Sequence, residues 1–219
     1  MEIKQAYSLL TNLGVPTAAT DISIEERAGQ GENIYRLRKR EDVWEFLFVR
    51  YEKSDGEEKL QATFYDRDTA VKFYFLYELS SYFSRNYTQP FKTKNEDIFK
   101  GIRNFSLNKL KEAFHRLNIP NEYYSLDGNV KNHCFVLEKI NECKSKINFF
   151  NINGIVLVET MVLDNWSAYS SMYQDVYMLY LLDHYYQKLT ENGKIQHKLT
   201  DEDYKMFLNP ASYFDYNKN

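Results

Sequence analysis

The chain has 219 residues, which is enough for one large domain or two small ones. Hydrophobic residues make up 43% of it and aromatic residues 16%, a composition that excludes intrinsic disorder and allows a packed core. Its 28 basic and 31 acidic residues leave a net charge of -3, which disfavours binding to nucleic acid or to an anionic membrane surface.

The sequence has neither a recognisable leader nor a membrane span. Its first residues lack the basic segment and apolar run of a secretory leader. No stretch approaches the roughly 18 apolar residues of a membrane-spanning helix. We therefore expect a cytoplasmic protein that does not bind membranes. Cys134 and Cys143 lack a C-x-x-C spacing and are expected to be ordinary thiols, neither a disulfide nor a zinc site.

The first half of the chain begins with a predicted helix and a predicted loop. Apolar residues recur at helical spacing from Ile3 to Leu13, and Gly14 and Pro16 should end the helix. The polar segment 17–32 then predicts a surface loop.

An antiparallel meander and a second helix are expected next. Three strand-like runs follow the loop, at 34–39, 43–52 and 59–65. The turn sequence Ser54-Asp55-Gly56-Glu57 joins the last two runs as a hairpin. Both faces of the middle run are apolar, so it should be a central strand. A helix capped by Asp66 or Asp68 then runs towards Ser84.

The second half of the chain repeats this order at a spacing of about 100 residues. Leu117-Asn118-Ile119-Pro120 ends a helix as Leu13-Gly14-Val15-Pro16 does, and Cys134 to Lys139 matches the strand that starts at Ile34. Strands near 147–150 and 155–163 and a helix from about Asp175 follow.

We therefore predict an α+β fold of two tandem, diverged helix–antiparallel meander–helix units. The boundaries are 1–88 for the first unit and 97–190 for the second, with a C-terminal helical extension at 191–219. Thr200-Asp201-Glu202-Asp203 should cap the helix of this extension. We expect the whole extension to pack across the second unit.

Few residues suggest catalysis or a cofactor. None of the four histidines, His115, His133, His184 and His197, has a second His or Cys at a metal-binding spacing. Gly29-Gln30-Gly31 is too short to cradle a phosphate. The sequence therefore predicts a protein that is not an enzyme and needs no metal or cofactor.

Two acidic loops at equivalent places in the two units are the candidate partner-binding surface. The candidate residues are Asp21, Glu25 and Glu26 in the first loop and Glu122, Tyr123, Tyr124 and Asp127 in the second. Carboxylates beside tyrosines suit a basic protein partner such as a nuclease domain, because the acids can pair with groups that otherwise hold phosphate.

The order of elements resembles small immunity proteins of bacterial polymorphic toxin systems. The residues that carry the resemblance are Ile119-Pro120, Tyr124-Ser125-Leu126-Asp127-Gly128, Val43-Trp44-Glu45-Phe46 and Phe64-Tyr65-Asp66-Arg67-Asp68-Thr69-Ala70. Neither half holds all of them, and the second half has no Trp in the matching strand. The resemblance implies a cytoplasmic antitoxin that binds and occludes a cognate secreted toxin domain, with no cofactor and no turnover.

Two alternatives stay open. The chain could be a hydrolase or transferase whose site lies between the two repeats and uses perturbed acids or His133. It could also be a regulatory domain that binds another cellular protein.

Overall fold

The computed structural model describes residues 1–27, 33–51, 56–196 and 198–215, and its fold is α+β as the sequence predicts. The chain divides into two compact units. The first contains Met1–Tyr82 and the segment that starts at Asn209, and the second contains Phe83–Leu208. No helix of the described residues has the length and apolar character to cross a membrane.

The first unit contains two helices around a five-stranded sheet. Its elements are α1 (Ile3–Asn12), β1 (Thr17–Ala19), β2 (Ser23–Glu26), β3 (Ile34–Arg40), β4 (Val43–Arg50), β5 (Glu57–Phe64) and α2 (Arg67–Phe83). The strands pair in the order β1-β2-β3-β4-β5, and each pair is antiparallel. Strand β4 lies between β3 and β5, so its predicted interior position is confirmed. Residues 54 and 55 of the predicted turn at 54–57 lie outside the described residues, and β5 begins at Glu57.

The prediction of a continuous loop at 17–32 was wrong, because β1 and β2 occupy part of it. These strands are too short and polar to give a clear alternation. Ile24 is the fully buried side chain of β2, and its backbone pairs with Leu37 of β3. One buried residue fixes the register of β2, and a single residue cannot produce a periodic pattern in the sequence.

An aromatic cluster fills the core between β4 and α2. The ring of Phe46 lies 5.1 Å from that of Phe73 and 5.0 Å from that of Tyr77, both edge to face. Helix α2 begins after Asp66, whose carboxylate accepts hydrogen bonds from the Thr69 backbone (2.8 Å) and hydroxyl (2.6 Å). The prediction that an aspartate starts this helix is therefore confirmed, with Asp66 as the cap.

The second unit contains a longer series of helices around a mixed sheet. Its elements are α3 (Gln89–Lys94), α4 (Glu96–Phe99), α5 (Leu107–Arg116), β6 (Tyr124–Ser125), β7 (Cys134–Lys139), β8 (Lys144–Phe150), β9 (Val156–Glu159), β10 (Leu163–Asp164), α6 (Asn165–Glu191) and α7 (Asp201–Leu208). The sheet order is β10-β8-β7-β6, and β9 also pairs with β8. Helix α6 starts ten residues before the predicted Asp175, because its first turns keep packing against the core through Ala168, Met172 and Tyr173.

Local geometry agrees with the predicted duplication at the ends of α1 and α5. Gly14 and Asn118 have positive φ angles of 84° and 52°, and the next backbone N–H donates back to Leu10 and Phe114 respectively. Both helices therefore end in the same left-handed cap. The strands that follow differ, because β6 runs parallel to β7 while β2 runs antiparallel to β3. The predicted antiparallel meander of the second unit is confirmed for β7, β8 and β9, whereas the short strand β6 was not predicted. Duplication remains a prediction.

The C-terminal extension divides between the two units. Helix α7 belongs to the second unit and is capped reciprocally, since Thr200 and Asp203 exchange backbone-to-side-chain hydrogen bonds of 2.9 and 3.3 Å. The following segment belongs to the first unit, where the Asp215 N–H donates to the Gln61 carbonyl at 2.6 Å. The expectation that the whole extension packs across the second unit was therefore wrong, because Phe214 stacks near Phe46.

Candidate functional site

The three acidic residues predicted in the first unit lie on or beside β2. Asp21 is exposed in the turn before β2 and lies 3.9 Å from the Lys4 ammonium. Glu25 and Glu26 are neighbours in β2 and therefore point to opposite faces of the sheet. Glu25 pairs with Arg36, whereas Glu26 accepts a long 3.4 Å hydrogen bond from the Tyr35 backbone. These three acids do not form one continuous patch.

Glu25 belongs to a network that we call the charged sheet face. Arg36, Arg38 and Arg40 alternate along β3 and so project from the same side. Glu58 forms ion pairs with two of these arginines, at 2.7 Å from Arg36 and 2.8 Å from Arg38. Glu45 accepts from Arg38 at 3.1 Å and from Arg40 at 3.5 Å.

The network buries a small apolar group on the same face. Ile34, Leu47 and Val49 form a separate buried cluster there. The long arginine stems can cover such residues while their charged ends stay in water. Burial lowers the pKa of Arg36, but its hydrogen bond to Glu25 and the charges of Glu25 and Glu58 outweigh that effect and raise it. The acids on this face are therefore already paired within the unit.

The four residues predicted in the second unit have different surroundings. Glu122 is exposed, and the Tyr124 hydroxyl donates to Asn121 at 2.7 Å. Asp127 accepts a 2.7 Å hydrogen bond from the Ser125 hydroxyl. This bond and the bonds from Asn129 lower the pKa of Asp127. Asp127 thus organises its own loop.

Tyr123 connects the predicted loop to a hydrogen-bond network around Asp183, which the sequence did not indicate. Burial raises the pKa of Tyr123, and the negative charge of Asp183 raises it further. The same carboxylate lies 2.8 Å from His133 Nε2 and accepts a 2.9 Å hydrogen bond from the Tyr204 hydroxyl. The pKa of Tyr204 is likewise raised, first by burial and then by Asp183. Asp183 is therefore the centre of a hydrogen-bond network within the second unit.

This network forms one wall of an open pocket of about 480 Å³. We call it the α6–α7 pocket. Its lining residues are His133, Ile152, Asp183, Tyr186, Gln187, Thr190, Glu191, Lys198, Leu199, Asp201 and Tyr204. They come from the start of β7, the β8–β9 turn, the second half of α6 and the beginning of α7. The volume falls within the range of small-ligand sites in proteins.

The backbone holds His133 in place at the start of β7. Its φ angle is 54°, in the left-handed region that few residues without a special role adopt. Its N–H donates to the Asn151 carbonyl at 3.0 Å. Asp183 occupies Nε2, and Nδ1 is sealed from solvent without a hydrogen-bond partner. Neither ring nitrogen is thus open to a molecule in the pocket, which favours a structural role for His133 over proton transfer.

Other nucleophiles near the pocket are also engaged. The Cys134 thiol is buried and donates to the Lys131 carbonyl, and burial raises its pKa. The Thr190 hydroxyl donates to the Tyr186 carbonyl at 3.0 Å. No group of three or more metal-binding side chains occurs among the described residues. The Cys134 thiol and the Thr190 hydroxyl are thus both held by backbone carbonyls within the unit.

Exposed apolar residues adjoin the pocket at the β8–β9 turn. Ile152, which lines the pocket, is 67% exposed, and Ile155 is 59% exposed. We call these two residues and Val156 the turn patch. Asn151 holds the turn rigid, because its side-chain oxygen accepts from the backbone of Asn153 and Ile155 at 2.9 and 2.8 Å. Single exposed apolar residues are common, but a fixed group beside a pocket is typical of an interaction site.

Comparison with known protein families, curated proteins and solved structures found no match to this chain. The site must therefore be interpreted from its own residues. Asp183 and Tyr204 were missed because they lie at least 50 residues from His133 along the chain, and only the fold brings them to it. Two signals in the sequence point to this site: His133, named above in the enzyme alternative, and the turn Asn151-Ile152-Asn153-Gly154.

Proposed function

We propose that this chain is an immunity protein that binds a toxin domain in the cytoplasm and neutralises the toxin by blocking its active surface. The observation that carries the proposal is the turn patch beside the acid-lined α6–α7 pocket. Apolar groups that are exposed on a rigid turn gain free energy when a partner buries them. A neighbouring pocket can take an anchoring side chain from the same partner.

The chemistry of the pocket supports binding without turnover. The ring nitrogens of His133 are both withheld from a bound molecule, and the Asp183 carboxylate already accepts from His133 and Tyr204. Groups fixed in this way offer a shaped surface and little proton-transfer capacity. The tyrosines around the pocket add rigid amphipathic area, which is common at the centre of protein interfaces.

Co-expression tests the proposal directly. The toxin candidate is the product of the reading frame next to the gene for this chain, expressed with and without the chain in a host that the toxin kills. We expect rescue of growth and a stoichiometric complex in a pull-down. If the chain captures a protein that is not toxic, the result supports a regulatory domain and contradicts the immunity proposal. If the toxin still kills the host and no complex forms, the proposal is refuted.

Point variants then test the surface. Ile155→Asp places a charge in the turn patch and should weaken the complex by at least about tenfold, because the carboxylate loses its water on binding. Ile140→Asp is the matched control, since Ile140 is 46% exposed in the β7–β8 turn, at the opposite end of β8. Equal loss of rescue in both variants would mean that the turn patch is not the binding surface.

A further inference from the structure

The α6–α7 pocket is large enough to admit one side chain of a partner. Its volume of about 480 Å³ exceeds what a bare metal ion or a water cluster needs. Tyr186, which is 7% exposed, lies in one wall, and the half-buried Tyr204 and Leu199 contribute further apolar surface. An occupant with an apolar stem or a flat polar group would fit against these walls.

Acidic residues outnumber basic residues in the lining of the pocket. Asp183, Glu191 and Asp201 line it, against Lys198. The hydrogen-bond partners of two of these acids are neutral amides. Gln187 donates to Glu191 at 2.8 Å, and Asn151 donates to Asp201 at 2.8 Å. These amides orient the two carboxylates without neutralising them. The pocket therefore presents a surplus of fixed negative charge beside aromatic walls.

We infer that the α6–α7 pocket binds the guanidinium group of an arginine side chain from a partner protein. A guanidinium carries five N–H donors in one plane, so it can bond to more than one carboxylate and still stack on a tyrosine ring. A lysine ammonium lacks the flat face, and its compact charge is more strongly hydrated. The inference deepens the proposed function by naming the partner group that anchors beside the turn patch.

Small probes test the inference on the whole chain without any partner. Agmatine supplies the guanidinium on an aliphatic stem, and N-acetyl-arginine methylamide supplies it as a blocked residue. We expect saturable shifts of the Tyr186 and Tyr204 ring signals in NMR titrations. The blocked citrulline has nearly the same shape without the charge and should bind at least about tenfold more weakly. Equal affinity for arginine and citrulline would overturn the inference.

Two variants locate the binding. Glu191→Gln and Asp201→Asn keep the size of each side chain and should each weaken agmatine binding by about tenfold. Glu202→Gln is the matched control, because it removes one charge from the same first turn of α7 but does not line the pocket. If Glu202→Gln weakens agmatine binding equally, the effect comes from the overall charge of the chain and not from the pocket, and the site is refuted.

The sources of the guanidinium are distinguished by comparing the blocked arginine with butylguanidine, which carries the same single positive charge, because agmatine has a second charge on its amine. A blocked arginine that binds at least as tightly as butylguanidine supports a protein side chain, whereas much tighter butylguanidine binding indicates a free small molecule and overturns the partner assignment. Failure here is separable from failure of the proposed function. If the probes bind but no toxin partner is found, only the immunity proposal is refuted. If a toxin complex forms and Asp201→Asn does not change its affinity, only the arginine pocket is refuted.

Discussion

Asp175 makes the stability of the second unit depend on pH in an unusual direction. This half-buried residue of α6 has its pKa raised to about 7, because burial disfavours its charged form and the nearby Lys92 offsets only part of that effect. Lys92 lies 5.3 Å from the centre of the Tyr173 ring, and burial lowers its own pKa. Between about pH 4 and about pH 7, Asp175 is therefore protonated in the folded chain and ionised in the unfolded chain.

The sign and size of the effect follow from linkage. Because the folded pKa is raised, the stabilising contribution is fully present below about pH 4 and is lost as the pH rises through about 7. The change from 3.8 to about 7 sets an upper limit of roughly 4 kcal/mol at ~1.4 kcal/mol per pH unit. Since Asp175 keeps some contact with water and has Lys92 nearby, we expect about half of that, ~2 kcal/mol.

Urea unfolding of the wild-type chain and of Asp175→Asn provides the assay. The difference between their free energies of unfolding cancels the other titrating groups. With Trp44 of the first unit replaced by Phe in both chains, the fluorescence of Trp166 reports on the second unit. Relative to the variant, the wild type should lose about 2 kcal/mol between about pH 4 and about pH 8 and then remain level. A difference that stays flat, or that favours the wild type as pH rises, would refute the reasoning. The latter would show that the attraction to Lys92 outweighs desolvation.

Tyr204→Phe should destabilise the second unit by about 1 kcal/mol, because Asp183 loses one donor while the ring packing against His133 and Phe149 remains. Thermal unfolding measures this loss, and no change would mean that solvent replaces the hydroxyl. Gly14→Ala should cost about 1 kcal/mol from backbone strain alone, since an added Cβ meets no atom within 4 Å. Gly14→Asn should cost less, because Asn tolerates the left-handed region, and an equal cost in calorimetry would contradict the strain argument.

Elements with a long apolar period could be predicted from the sequence. The helical spacing after Asp66 located α2, and the two apolar faces of the run from Val43 located the central strand β4. The left-handed caps of α1 and α5 were also encoded locally, by Gly14 and by Asn118 before Pro120. These features depend on residues that are neighbours in the chain, so they can be predicted from the sequence.

Short strands and their directions were not predictable in this way. Strands β1 and β2 bury too few residues to show a period, and the two residues of β6 give no sign that it runs parallel to β7. Pairing direction depends on how the preceding loop returns the chain to the sheet, which is a property of the whole unit. The same limit applies to the segment after α7, whose Asp215 backbone bonds to Gln61 far earlier in the chain.

The sequence by itself determined the α+β class, the central strand, the helix caps and the scarcity of known catalytic motifs, because each rests on spacing or residue type. Tertiary structure alone decided which acids are exposed and which are already paired. Asp21 and Glu25 are both acidic residues of one polar segment, yet the fold leaves Asp21 exposed and places Glu25 against Arg36. Likewise, only the packing of α6 and α7 brings Asp183 and Tyr204 to His133, since a pocket is made by residues whose separation along the chain is unrelated to their distance in space.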